Sequence, residues 1–333
     1  MSEFRPINET IQEDVVIMNF FKQQQQQFWT VEEIPYDEND QKEFKNLPKP
    51  EQEIIKTILL FFTKADKLVI DALDDFVQKV PYQSAQYYYK AQIYIEAIHD
   101  MTYKKSALMY SESFDEFRQN NEKFENLISD YRNNPNSSNS SDPIMRAALL
   151  KLKMFADFKN QDNTAYQLAT LFLLEALAFN PFFVILSSYR KNNKGVKYLV
   201  EINDFILKDE HIHAVFGMTL YRDYLQKKLP VEEFMTLLDK VVETEIRVLD
   251  EIFPKDLVIN GFTAEHLGNY VKFLANDICK FLGYDSYYKE KLDFPNKFQQ
   301  VEFSSNTNQF ERTAAYVVKS EFVPLDFVLS HFK

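Results

Sequence analysis

Apolar residues recur every three to four positions over most of this chain. The pattern predicts helices over 9–27, 49–79, 82–110, 114–131, 143–188, 196–224, 230–252 and 263–282. Glycine is rare, five in 333 residues, and the twelve prolines fall mostly outside the periodic stretches. The run NNPNSSNSSD at 133–142 is the clearest break. Periodicity fades after about 284, where the chain reads as extended. An all-α fold follows, with a helical domain over 1–284 and a C-terminal segment, partly flexible, over 285–333.

One apolar run is long enough to raise the question of a membrane. From Leu168 to Ser188 the only charged residue is Glu175. Asn180 and Pro181 interrupt it and no basic flank precedes it, which favours a buried core helix around a functional acid. The tract Gln23–Gln27 reads as an exposed helix turn ahead of Phe28 and Trp29.

Acids inside apolar helices are costly unless something holds them. Two stand out, Asp66 in TILLFFTKADKLVIDAL and Glu175 in ATLFLLEALAFNPFFVIL. Each is followed by a Glu-x-x-His pair: Glu96 and His99 come 30 residues after Asp66, and Glu210 and His213 come 35 after Glu175. Each gap suits one helix running up, a connection, and a second helix returning to the same height. The two-helix unit occurs twice, about 110 residues apart. Two such hairpins make a four-helix core that aims four carboxylates and two imidazoles inward, an arrangement suited to two metal ions. Carboxylate and imidazole without thiolate fit iron or manganese better than copper(I) or structural zinc. Tyr103 lies one turn beyond His99 on the same face, within reach of oxidation. His211, His266 and His331 lack the pairing and read as surface or supporting residues.

Composition narrows the classes. The net charge of −12, with no basic cluster, argues against a nucleic-acid surface. The single cysteine, Cys279, excludes an intrachain disulfide and a CxxC motif, so a reducing, cytoplasmic setting is the default. The N-terminal MSEFRPINETIQ lacks the pattern of a secretory signal, which leaves the sequons at Asn136 and Asn139 without a role.

These residues resemble a known family, the small, radical-generating subunit of class I ribonucleotide reductase, over nearly the whole chain. FWTVEEI is similar to the family's segment bearing Trp29, and LLFFTKADKLV carries Asp66. YIEAIHDMTY carries Glu96, His99 and Tyr103; LFLLEALAFNPFF carries Glu175, Phe179 and Phe183; FILKDEHIH carries Asp209, Glu210 and His213. The resemblance implies a ferritin-like helical bundle with a di-metal carboxylate site in its four-helix core. It implies two iron ions per chain, manganese being the alternative, held by Asp66, Glu96, His99, Glu175, Glu210 and His213. Oxygen activation would generate a stable radical on Tyr103, in a pocket walled by Phe179, Phe183 and Ile206. The radical would pass through His99, Asp209, Trp29 and Tyr316 to a large catalytic subunit that reduces ribonucleoside diphosphates to deoxyribonucleotides. A homodimer is implied, with FVPLDF (322–327) resembling the tail peptide that docks on the large subunit. Other readings are another ferritin-like di-metal oxidase of desaturase or ligand-binding type, an iron-storage protein, or a non-catalytic scaffold. Tyr103, Trp29 and Asp209 together favour the radical subunit.

Overall fold

The computed structural model describes residues 3–5, 11–34, 38–133, 162–192 and 196–294, together with seven positions between 146 and 154. The chain divides at Pro295, and the second unit, Asn296–Lys333, lies outside the described residues. Ten α-helices have both ends among the described residues of the first unit: α1 (Ile11–Gln26), α2 (Glu38–Lys45), α3 (Lys49–Val77), α4 (Gln83–Met109), α5 (Phe114–Asn133), α6 (Thr164–Leu173), α7 (Asn180–Ser188), α8 (Lys197–Thr219), α9 (Val231–Ile252) and α10 (Ala264–Leu282). Among the described residues there is no β-strand, only isolated bridges at Phe4–Leu225 and Ile259–Phe262. The all-α reading therefore stands.

Two hairpins build the core. Helices α3 and α4 pack along each other, as do α6 with α8 and α7 with α8. Asp66 lies 11 residues before α3 ends and Glu96 lies 13 residues after α4 begins. In the second hairpin Glu175 precedes the end of α7 by 13 residues, and Glu210 follows the start of α8 by 13. At about 1.5 Å per residue, all four acids sit roughly 16–20 Å from their hairpin's bend, so they meet at one level. The sequence repeat thus becomes a shared height in space.

Local signals set the helix ends. Pro50 stands in the first turn of α3, where its missing N–H costs nothing. Thr263 and His266 form a reciprocal capping box on α10, and Gly283 closes that helix at φ +80°, a conformation glycine adopts without strain. The start of α8 is capped from outside: Asp40 of α2 accepts from the amides of Lys197 (3.1 Å) and Tyr198 (2.5 Å). That contact anchors the helix carrying Glu210 and His213.

Three features depart from the periodicity. The helix expected over 143–188 is interrupted: Asn163 accepts from the amides of Ala165 and Tyr166 and starts a new helix at Thr164. Beyond Leu173 the helix widens into a π turn, Leu174–Ala178, and α8 ends in another, Leu220–Tyr224. The segment Thr164–Ser188 is long and apolar enough to cross a membrane, yet 89% of its apolar window is buried within the bundle. It is the core helix the interrupted polar pattern predicts.

Candidate metal centre

Asp66, Glu96, His99, Glu175, Glu210 and His213 are all buried, at 3% exposure or less. Glu96 and Glu210 lie between the imidazoles. His99 Nδ1 is 3.3 Å from Glu96 Oε2 and 3.2 Å from Glu210 Oε1, while His213 Nδ1 is 3.0 Å from Glu96 Oε1 and 3.9 Å from Glu210 Oε2. Each of these carboxylates offers one oxygen to each side, the posture of a bridging ligand. One ligand atom from each of Glu96, Glu175, Glu210 and His213 lies within 4.8 Å of the others, close to the roughly 4 Å that separates opposite ligands of one ion. The charge of His99 acts on Asp66 and that of His213 on Glu175, which puts one further acid on each side.

The outer contacts fix the imidazole tautomers. His99 Nε2 is 3.1 Å from Asp209 Oδ2, so it donates to that carboxylate. Gln24 donates its amide to Asp209 Oδ1 (2.9 Å), which leaves Gln24 Oε1 as the acceptor for His213 Nε2 at 3.1 Å. Both Nδ1 atoms, the nitrogens left for a metal ion, then face the carboxylates. Gln92 holds Glu175 through a 2.7 Å bond to Oε1.

Inside this ring the polar atoms have no hydrogen-bond partner. Asp66 Oδ2, both Glu96 oxygens, Glu210 Oε2 and both Nδ1 atoms are buried and unsatisfied. Buried polar groups rarely go unpaired, and two divalent ions would pair all of them. Protein alone answers with shifted protons. Burial drives Asp66 and Glu175 well above the usual carboxylate range. Burial would raise Glu96 as well, but His213 and His99 outweigh it and bring it to about 2. Burial would lower His213, but Glu210 and Glu96 outweigh it and raise it to about 10. The residues fit a pair of metal ions.

Tyr103 is fully buried one turn from His99, and its hydroxyl has no hydrogen-bond partner among the described residues. Burial, then the charge of Asp66, pushes the phenol well above its usual range, so it stays protonated. Phe62 stacks on the Tyr103 ring at 4.5 Å and 14°, and Phe183 also stacks on Phe62, at 5.2 Å. Phe179 meets Phe62 edge-on at 5.7 Å, and Ile206 is buried in α8. On the other side of the centre, Trp29 Nε1 donates to Asp209 Oδ2 at 2.8 Å. Trp29, Asp209 and His99 are therefore joined through one carboxylate oxygen.

Most residues singled out in the sequence converge here. Tyr316 and the peptide 322–327 lie outside the described residues. His211 is exposed, and His266 serves the cap of α10. Gln24 corrects the reading of the glutamine tract: Gln25 and Gln26 are exposed, but Gln24 is 2% exposed and bridges Asp209 to His213. Phe62 and Gln92 also escaped notice. Each lies four residues before a candidate metal-binding acid, Asp66 and Glu96, hence on the same helix face, and that spacing was the available signal.

Four inward acids and two imidazoles on paired helices define the class of ferritin-like di-metal carboxylate proteins. Residues 7–295 match the family model "Ribonucleotide reductase, small chain", and the chain belongs to that family, whose members generate the radical used in ribonucleotide reduction. A ribonucleoside-diphosphate reductase small chain of Plasmodium falciparum is 28% identical over 305 residues, covering 91% of this chain and 81% of the relative. Two solved structures share the fold. The Rnr4 homodimer of Saccharomyces cerevisiae has a TM-score of 0.65 at 19% identity, over 90% of each chain. The dimanganese(II)-NrdF of Streptococcus sanguinis has a TM-score of 0.61 at 18% identity, over 86% of this chain and 94% of the other.

Proposed function

We propose that this small chain holds two metal ions between Asp66, Glu96, His99, Glu175, Glu210 and His213, and stores a radical on Tyr103. Bound iron, or manganese, would supply the reduction of dioxygen that oxidises a neighbouring phenol. The rest falls to the chain's own groups. Tyr103 would give up one electron and its phenolic proton to that reduction, which consumes both, and burial keeps the phenol protonated until then. Phe62, Phe179, Phe183 and Ile206 keep water and reductants from the ring. Iron is favoured as the resident metal; the dimanganese relative makes manganese the alternative.

The observation that carries the reading is the shared oxygen of Asp209, which accepts from both His99 and Trp29. It offers a hydrogen-bonded route from the metal side of the centre to Trp29 and on to a large catalytic subunit. We assign the last step to Tyr316 and the docking contact to the tail around FVPLDF. A homodimer is supported by a stripe on α4: Tyr87, Tyr94, Met101 and Leu108 repeat every seven residues and are 42–57% exposed. We place the protein in the cytoplasm, where its nucleotide substrates and reductants are.

Trp29→Phe and Asp209→Asn test the route. Each is expected to form the Tyr103 radical yet to lose at least 100-fold in turnover with the large subunit. Turnover near that of the parent in both would sink the assigned route.

A further inference from the structure

A buried ion pair lies beside the π turn that carries Glu175. Lys151 is 1% exposed and Glu245, from α9, is fully buried; their Nζ and Oε2 are 2.6 Å apart. Such a pair brings no assured stability, because the cost of removing both charges from water rivals their attraction. What the pair touches is more informative. Lys151 Nζ also donates to the carbonyl of Ala178, the last residue of the π turn.

That carbonyl lacks its normal donor. In an α-helix Ala178 O would accept from the amide of Phe182, which bonds instead to Phe179 O at 3.1 Å. A second carbonyl of the turn is treated alike. In the widened register Ala176 O faces position 181, a proline without an N–H, and Asn180 Nδ2 takes its place at 2.7 Å. Two side chains thus cap two carbonyls of the turn that a proline and an extra residue open. The Lys151 ammonium also lies 4.3 Å from the ring centre of Phe182 and 4.9 Å from that of Phe61. Both rings pack on Phe62, which covers Tyr103.

We infer that Lys151, held by Glu245, is a positioning residue for Glu175: it caps the Ala178 carbonyl and so fixes the π turn that presents this carboxylate to the metal on the His213 side. The inference rests on the di-metal reading above. It predicts that Lys151 governs metal affinity at one of the two positions while the pair contributes little to folding.

The test uses Mn(II) alone, titrated into the metal-free full-length protein and followed by loss of the free-ion electron paramagnetic resonance signal. Melting temperature is read in parallel. Lys151→Met/Glu245→Leu removes both charges and keeps the volume. It should melt close to the parent, bind the weaker Mn(II) at least tenfold less tightly, and hold the other within threefold. Glu245→Gln, which leaves Lys151 on the carbonyl, should bind both ions within threefold of the parent. A double variant that binds both ions as the parent does overturns the inference. If it fails to fold, Lys151→Met at pH 6, where Glu245 is neutral, gives the same comparison, and parental binding there overturns it equally. A parent that binds no Mn(II) overturns the di-metal reading itself, a separate result.

Discussion

Replacing Gln24 with Leu removes two buried hydrogen bonds and little volume. One runs to Asp209 Oδ1, a carboxylate, and one comes from His213 Nε2. Leaving a buried partner unsatisfied costs about 1–3 kcal/mol each, so the metal-free protein should lose about 2–6 kcal/mol. The larger consequence is directional. Among the described residues Gln24 is what fixes the outer nitrogen of His213, whereas His99 keeps Asp209. Loss of such an outer partner typically weakens metal binding about 10–100-fold. The weakening should fall on the ion held by His213 and Glu175. Urea denaturation reads the first effect and Mn(II) titration the second, with Gln26→Ala as the exposed control, expected within about 0.5 kcal/mol of the parent. Gln24→Leu with parental affinity for both ions would refute the assignment of the outer bond.

Phe62→Ala empties a fully buried ring site in contact with Tyr103 and Phe183. It should cost about 3–5 kcal/mol by denaturation and shorten the radical's lifetime in solution at least tenfold; an unchanged lifetime would remove Phe62 from the pocket. In the metal-free protein His213 is raised to about 10 and carries a proton that an ion must displace. Metal uptake should therefore release protons and tighten from pH 6 to 8, as calorimetry in buffers of different ionisation heat would record; zero release would count against the paired site. Glu245, raised by burial to about 7, favours folding in its protonated form. Its contribution is complete below about pH 4.5 and is lost as pH rises through 7, a decline of up to about 3 kcal/mol that Glu245→Gln should flatten in metal-free denaturation curves.

The candidate ligands were legible because a buried acid followed by Glu-x-x-His repeats, and helical periodicity turns equal spacing into equal height. Asp66, Glu96, Glu175 and Glu210 needed no tertiary knowledge to be brought together. The bundle was legible for the same reason. The π turn at Leu174–Ala178 was not, since a single widened turn leaves the apolar pattern of a continuous run intact. The interruption before Thr164 rests on one side chain, Asn163, whose capping bonds are local geometry. Gln24 was hidden by composition: four like neighbours made it look solvated, and only the packing of α1 against α4 and α8 distinguishes it. Lys151 and Glu245 are 94 residues apart and share no motif, so their meeting is a property of the fold alone.

The central claim is that the carboxylate–imidazole ring exists to oxidise Tyr103. It is tested by loading metal-free protein anaerobically with ferrous iron, admitting oxygen, and recording the electron paramagnetic resonance spectrum of the parent and of Tyr103→Phe. The account predicts two irons per chain in both proteins, and a tyrosyl signal in the parent that is absent from the variant. The same tyrosyl signal in Tyr103→Phe, or a parent that takes up no metal, would contradict it.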